Sequence, residues 1–105
     1  MNHFTDKTGY NGIRASPIWR FWASQPPDPV NHPFGAYFTT LTPDTPNLAI
    51  KLGIPKRKLE YLFSFVDKND LIALDNDRGE WIFYSPRDYE VEKERQVYHG
   101  KSEDL

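Results

Sequence analysis

Short stretches of aromatic and branched apolar residues recur along the chain, separated by segments rich in proline, glycine, asparagine and aspartate. Such stretches are typical of β-strands bounded by turns. The pattern predicts strands at residues 3–5, 35–41, 58–66, 70–74 and 80–85. The segment 58–66 has apolar residues on both faces, as a central strand does. The last two strands flank the turn sequence "DNDRG" and are therefore predicted to form a hairpin.

Two short helices are predicted between the strands. Asp6 is a good N-cap for a helix over 7–16, in which Gly9 and Gly12 each cost roughly 1 kcal/mol relative to alanine. Packing must compensate for that cost, and glycines on a short helix let another group approach it closely.

The second helix is predicted within residues 42–55. Thr45 or Asp44 would cap its start, and Gly53 would close it. Further along, "EVEKERQVYHG" (90–100) is interpreted either as a final edge strand or as a charged helical turn that leads into one.

Residues 17–34 are predicted to be a long, variable surface loop. The stretch "PIWRFWASQPPDPVNHPFG" holds five prolines and two tryptophans, so no hydrogen-bonded ladder is expected through its middle. Long loops in small domains are usually functional, and aromatic side chains in one suggest a wall over a pocket. Trp19 and Trp22 could instead fill the core.

The chain of 105 residues fits a single domain, 1–105, with residues 101–105 as a frayed tail. Aromatic residues make up 15% of it, so large rings are expected to form much of the core. The predicted elements add up to an α+β fold with a mostly antiparallel sheet, two short helices and a long loop rich in proline and tryptophan.

Charge and cysteine content narrow the range of functions. The net charge is −2 with basic and acidic residues interspersed, which disfavours nucleic acid as a partner. The absence of cysteine excludes disulfides and thiolate metal sites. No apolar run or signal-like N-terminus predicts a membrane segment or an address, so the sequence is compatible with the cytosol, with secretion and with delivery as a toxin domain.

Familiar enzyme signatures are absent from the sequence. His3, His32 and His99 are scattered, so no metal site is predicted. No glycine-rich phosphate loop and no nucleophile elbow is present.

Three blocks occur in a characteristic order: "HFTDKTGYNGIRAS", "FGAYFTTLTPDTPNLAIKLG" and "EWIFYS". From His3 to about Gly100 the chain resembles the mono-ADP-ribosyltransferase fold. It is most similar to the compact toxin-type branch with a His-Tyr-Asp signature, in which H-x-T-[DS] opens the domain and G-x-Y-[FL]-T follows a variable loop. The resemblance implies an ADP-ribosyltransferase-like fold and a toxin or effector domain that cleaves NAD and modifies an acceptor, which is expected to be a protein.

The resemblance also implies roles for residues that match the motifs. His3 would hydrogen-bond the adenosine ribose of NAD with support from Thr5, and the backbone amide of Phe4 would pair with the nicotinamide carboxamide. Tyr37 would stack on the nicotinamide ring, and Gly35 would allow close approach of its strand. The loop at 17–34 would lie over the NAD cleft as a lid or as an acceptor-recognition surface.

The catalytic acid has two candidates. By analogy with the His-Tyr-Glu polymerases, "EWIFY" makes Glu80 the catalytic glutamate, and this assignment is slightly favoured. By analogy with the His-Tyr-Asp branch, "SPRDYEV" offers Asp88. In either case a carboxylate would stabilise the oxocarbenium-like ribosyl cation that forms as nicotinamide leaves.

Other functions on the same fold stay open. The domain could hydrolyse NAD instead of transferring ADP-ribose, or could be a non-catalytic binding module. RNA 2′-phosphotransfer or base modification on a related fold would call for clustered lysine and arginine in the cleft, for which "PKRK" (55–58) is the available cluster.

Overall fold

The computed structural model describes residues 1–27, 32–74 and 81–105. Within these residues the strands are Asn2–Thr5 (β1), Trp19–Phe21 (β2), Ala36–Thr39 (β3), Tyr61–Phe65 (β4), Ile72–Ala73 (β5), Ile82–Ser85 (β6), Tyr89–Val91 (β7) and Gln96–Lys101 (β8). The α-helices are Lys7–Arg14 (α1) and Leu48–Leu52 (α2), and short 3-10 turns lie at Lys56–Leu59, Lys93–Arg95 and Ser102–Asp104.

Six strands form one antiparallel sheet in the order β5-β6-β3-β1-β4-β8, and β2 pairs with β7 in a second, two-stranded sheet. The α+β class with a mostly antiparallel sheet and two helices is thereby confirmed. None of the helices in the described part of the chain is long and apolar enough to cross a membrane.

Alternation along β1 sends neighbouring side chains to opposite faces of the main sheet. The larger cluster of buried side chains lies between the main sheet, β2, β7 and α1: Ile13, Trp19, Phe21, Ala36, Phe38, Phe63, Phe65, Tyr89 and Val91. The smaller cluster joins Phe4 and Leu62 to Leu48 of α2. His3 belongs to the first face, because its imidazole packs against the rings of Phe21 and Phe38.

The predicted helix boundaries are partly confirmed. Asp6 caps α1, where its carboxylate accepts the N–H of Gly9 at 2.9 Å. Gly53 ends α2 in the left-handed region, with φ 67°. The predicted cap of α2 at Thr45 or Asp44 is wrong, since Asn47 occupies the N-cap position with φ 57° and no side-chain cap bond.

The prediction of an irregular loop over 17–34 is wrong at its start. Residues Trp19–Phe21 form β2, whose partner is β7, and the rings of Trp19 and Phe21 are 3% and 1% exposed. Burial of alternate aromatic side chains stabilises this strand, and its three residues fit between the prolines at 17 and 26. Further along, Ser24 and Gly35 exchange two backbone hydrogen bonds of 3.0 Å.

The second half of the chain follows the pattern more closely. β4 lies between β1 and β8, as predicted for a central strand, and β5 pairs with β6 as the predicted hairpin requires. Its turn, 75–79, lies outside the described residues, as does residue 80 of the predicted second strand. Residues 90–100 contain both predicted alternatives, a charged 3-10 turn and then the edge strand β8. In the segment predicted to be a frayed tail, Ser102–Asp104 forms a 3-10 turn and the Ser102 N–H donates to the Glu60 carbonyl at 2.9 Å.

Candidate functional site

A cleft begins where two neighbouring strands of the main sheet separate. Across the described residues, β1 registers with β3 only at Asn2 and Thr39, whereas it registers with β4 along its whole length. If the β1–β3 ladder continued, Phe4 would stand opposite Tyr37 and exchange hydrogen bonds with it. The two strands have already parted at that point, so the centre of the sheet contains a gap.

The His3 imidazole lies at this gap and takes up one of the backbone groups that the missing ladder would use. Its Nδ1 lies 2.9 Å from the Tyr37 carbonyl oxygen. A carbonyl only accepts hydrogen bonds, so Nδ1 carries the proton and donates it. The Nε2 atom of this tautomer therefore presents a lone pair, an acceptor for a donor that enters the cleft.

Burial keeps this imidazole neutral. It lowers the pKa of His3 from 6.5 to about 4, and the nearby Lys58 cation lowers it further, while the hydrogen bond to the Tyr37 carbonyl acts in the opposite direction. At neutral pH the side chain is therefore uncharged, and Nε2 is a hydrogen-bond acceptor rather than a cationic donor.

The peptide N–H of Phe4 faces the same gap. The N–H and C=O of Met1 both bond to Phe65, at 2.8 and 2.9 Å, so the hydrogen-bonding groups of Met1 point towards β4. Backbone groups alternate in direction along a strand, so those of His3 also point to β4 and those of Phe4 point to the β3 side. The β1–β3 register ends before this point, and Phe4 is among the residues that line the cleft, so its N–H is directed towards the cleft.

The cleft has a volume of about 540 Å³. All five residues that the resemblance assigns to NAD line it, namely His3, Phe4, Thr5, Gly35 and Tyr37. They come from the two strands that part, which explains why residues more than thirty positions apart in sequence meet here.

The Tyr37 ring is held on two sides. It stacks with Tyr84 of β6, with centroids 5.7 Å apart and planes at 21°, and the His32 ring meets it edge-on at 5.8 Å. Its hydroxyl donates to the Pro33 carbonyl. Burial raises the pKa of Tyr37 to about 12, with a smaller contribution from Tyr84, so the phenol is neutral throughout the physiological range.

Two glycines fix the shape of the cleft wall through the side chains they lack. A Cβ at Gly35 would lie 2.5 Å from the Ser85 carbonyl oxygen, so this glycine permits close approach of β3 to β6. A Cβ at Gly9 would lie 2.0 Å from the Thr5 hydroxyl, so the Thr5 side chain occupies the space over the first turn of α1.

The structure describes one of the two candidate catalytic acids. Glu80 lies outside the described residues. Asp88 does not line the cleft; its carboxylate accepts the N–H of Ala23 at 2.8 Å and pairs with Arg20 at 3.0 Å. These contacts, the Ala23 N–H first, lower the pKa of Asp88. Asp6 does line the cleft, but it caps α1 and pairs with Arg57 at 3.1 Å.

Among the other residues that line the cleft, two carry side chains that could contact a ligand. Trp22 borders it with an exposed indole, and Lys58 is the one lysine or arginine among the described residues of the lining. The "PKRK" cluster was the available signal for Lys58, and the aromatic content of the loop was the signal for Trp22. No three histidine or acidic side chains in the described ranges converge as metal ligands would.

Compared with known families, with curated proteins and with solved structures, the chain has no match. The function therefore has to be inferred from the chemistry of the cleft. That chemistry consists of a neutral imidazole acceptor, a peptide N–H donor, a fixed aromatic ring and one cation at the rim.

Proposed function

We propose that this chain is an NAD-dependent ADP-ribosyltransferase domain of the toxin or effector type, with an ADP-ribosyltransferase-like fold. One observation carries the proposal: the gap between β1 and β3 brings the peptide N–H of Phe4, the imidazole of His3 and the ring of Tyr37 to one cleft. The sequence motifs associate these groups with NAD. The groups meet at the point where the hydrogen-bonded pairing of β1 with β3 ends.

Two of these groups suit the nicotinamide half of NAD, and the third, His3, suits its adenosine ribose. The Phe4 N–H would donate to the carboxamide oxygen, and the Tyr37 ring would stack on the pyridinium, a planar cation that an aromatic face attracts. The Nε2 lone pair of His3 would accept a ribose hydroxyl, which requires the neutral imidazole that burial maintains. Each contact uses a group whose geometry is fixed before ligand arrives, which reduces the entropy lost on binding.

In the reaction, the bond between C1′ of the ribose and the nicotinamide nitrogen breaks, and its electron pair moves to the ring, so nicotinamide leaves neutral. The ribosyl cation is captured by an acceptor nucleophile, or by water, which then loses a proton. A carboxylate about 4 Å from the developing charge is worth roughly 4 kcal/mol at an effective dielectric of 20, which is on the order of a thousandfold in rate.

We assign that carboxylate to Glu80 rather than to Asp88. The charge of Asp88 is already compensated by Arg20 and by the Ala23 N–H, and its side chain does not line the cleft. A carboxylate that stabilises a transition-state cation has to be directed at the ligand and not at a neighbouring guanidinium.

The test follows nicotinamide release from NAD by the purified chain without added acceptor. The wild type should release nicotinamide above background, Glu80→Gln should abolish release with NAD binding retained, and Tyr37→Ala and His3→Ala should weaken binding. Phe34→Ala serves as the control, since Phe34 is an exposed aromatic residue outside the lining of the cleft.

Two outcomes would revise the proposal. Loss of release from Asp88→Asn but not from Glu80→Gln would transfer the catalytic role to Asp88. If the wild type neither releases nicotinamide nor gains thermal stability with NAD, the proposal fails and the non-catalytic module becomes the better description. A thermal shift without release indicates a transferase that requires its acceptor.

A further inference from the structure

Trp22 is the most prominent apolar side chain on the wall of the cleft. Trp22 exposes 61% of its surface to solvent, whereas its neighbour Phe21 exposes 1%. Single exposed apolar residues are common and need no explanation. Trp22 differs because it lines the cleft already described and carries the largest aromatic surface there.

The backbone on both sides of Trp22 is held in place. Phe21 is paired with Tyr89 at the end of β2, and the Ala23 N–H donates to Asp88 at 2.8 Å. Ser24 then pairs with Gly35 through two hydrogen bonds of 3.0 Å. An exposed indole between anchored neighbours is a preorganised surface, so little entropy is lost when a ring stacks on it.

The indole is supported by α1. A Cβ at Gly12 would be 3.9 Å from Cζ3 of Trp22, an ordinary van der Waals distance, so the ring lies over this helix. The ring therefore has a neighbour on the side of α1, while much of the surface of Trp22 stays exposed.

Trp22 and Tyr37 line the same cleft as His3 but are held by different elements. In the main sheet β1 separates β3 from β4, and Tyr37 on β3 stacks with Tyr84 on the outer neighbour β6. The helix α1, over which Trp22 lies, packs on β1, β2 and β4. The cleft thus offers two aromatic surfaces, one beside α1 and one on β3.

We infer that Trp22 is the stacking platform for the adenine base of the dinucleotide, an inference that rests on the proposed function. Tyr37 then takes the nicotinamide ring, His3 a ribose between them, and the Lys58 ammonium at the rim faces the diphosphate. Lys58 makes no ion pair with any described residue, so its charge is available to a phosphate.

Fragments of the dinucleotide separate the two aromatic surfaces. Calorimetric titrations with AMP, with nicotinamide mononucleotide and with NAD are compared for the wild type, Trp22→Ala, Trp22→Phe and Tyr37→Ala. Trp22→Ala should weaken AMP and NAD binding by roughly 10- to 100-fold, the range of base–aromatic stacking, and leave nicotinamide mononucleotide unchanged. Tyr37→Ala should weaken the binding of nicotinamide mononucleotide and NAD and leave AMP binding unchanged. Trp22→Phe should retain most of the AMP affinity.

Tryptophan fluorescence gives a second readout. The chain has three tryptophans, of which Trp19 is buried and Trp81 donates its indole N–H to the Lys51 carbonyl at 3.2 Å. AMP should quench the emission of the wild type and of the control Phe34→Ala, and the quenching should disappear in Trp22→Phe.

The outcomes distinguish this inference from the proposed function. If Trp22→Ala binds AMP as the wild type does while the wild type still cleaves NAD, the platform is disproved and the enzyme stands. If AMP binding depends on Trp22 while NAD is neither bound nor cleaved, an adenine platform exists and the ADP-ribosyltransferase proposal fails.

Discussion

Acidification should destabilise this protein through His3, and the effect can be isolated with one substitution. The pKa of the folded imidazole is about 4 against 6.5 for an unburied histidine. Between these values the unfolded chain binds a proton that the folded chain does not, so the free energy of unfolding falls as the pH decreases. Above pH 6.5 both states are neutral at this residue and the effect vanishes.

The magnitude follows from the two pKa values. Each unit of difference is worth about 1.4 kcal/mol, so at about pH 4.5 the loss attributable to His3 is about 2.5 kcal/mol. For a domain of this size that is a large fraction of a stability of roughly 5 to 15 kcal/mol.

The comparison uses His3→Asn, whose amide can still donate to the Tyr37 carbonyl but does not titrate. Urea unfolding is measured for both proteins at about pH 7 and about pH 4.5, and carboxylates that titrate in both proteins cancel in the difference. The wild type should lose about 2.5 kcal/mol more than the variant. A parallel loss in the two proteins would refute the burial that we assign to the His3 imidazole. His99→Asn, which removes an exposed imidazole, should keep the steeper dependence of the wild type.

Three further predictions concern the glycines and the cap. Gly35→Ala should lower the urea midpoint and the proposed NAD-cleaving activity together, because its Cβ would lie 2.5 Å from the Ser85 carbonyl oxygen; an unchanged midpoint would contradict the close approach of β3 and β6. Gly9→Ala should lower the melting temperature through its 2.0 Å contact with the Thr5 hydroxyl, and adding Thr5→Ala should restore much of the loss; additive effects of the two changes would argue against the contact. Asp6→Ala should lower the free energy of unfolding, measured with urea, by about 1 kcal/mol. Asp6→Asn should have a free energy of unfolding close to that of the wild type.

Local signals were sufficient for much of the fold. The N-cap at Asp6 depends on residues within one turn, and so does the left-handed end of α2 at Gly53, and both were predicted correctly. β2 was missed because it is stabilised by burial of Trp19 and Phe21 against β7, a partner about seventy residues later in the chain. The residues that neighbour β2 in the sequence contain no information about that distant partner strand.

The site was predictable as a set of residues but not as an arrangement. The motifs named His3 and Tyr37, yet the bond between the imidazole and the Tyr37 carbonyl depends on where β1 and β3 part. Strand separation is a property of the whole sheet. Lys58 reaches the cleft from a 3-10 turn, although the sequence predicted a strand at this position. Trp22, which also lines the cleft, is the residue that directly follows β2.

The break between β1 and β3 makes binding and sheet pairing compete for the same backbone atoms. If the His3 side chain left the Tyr37 carbonyl, that oxygen and the Phe4 N–H could pair with each other and extend the ladder beyond Asn2. The sheet would gain hydrogen bonds and the cleft would close. A variant chosen only for resistance to unfolding could therefore lose the ligand while its fold improved, so selection for stability in this domain should be accompanied by an assay of binding.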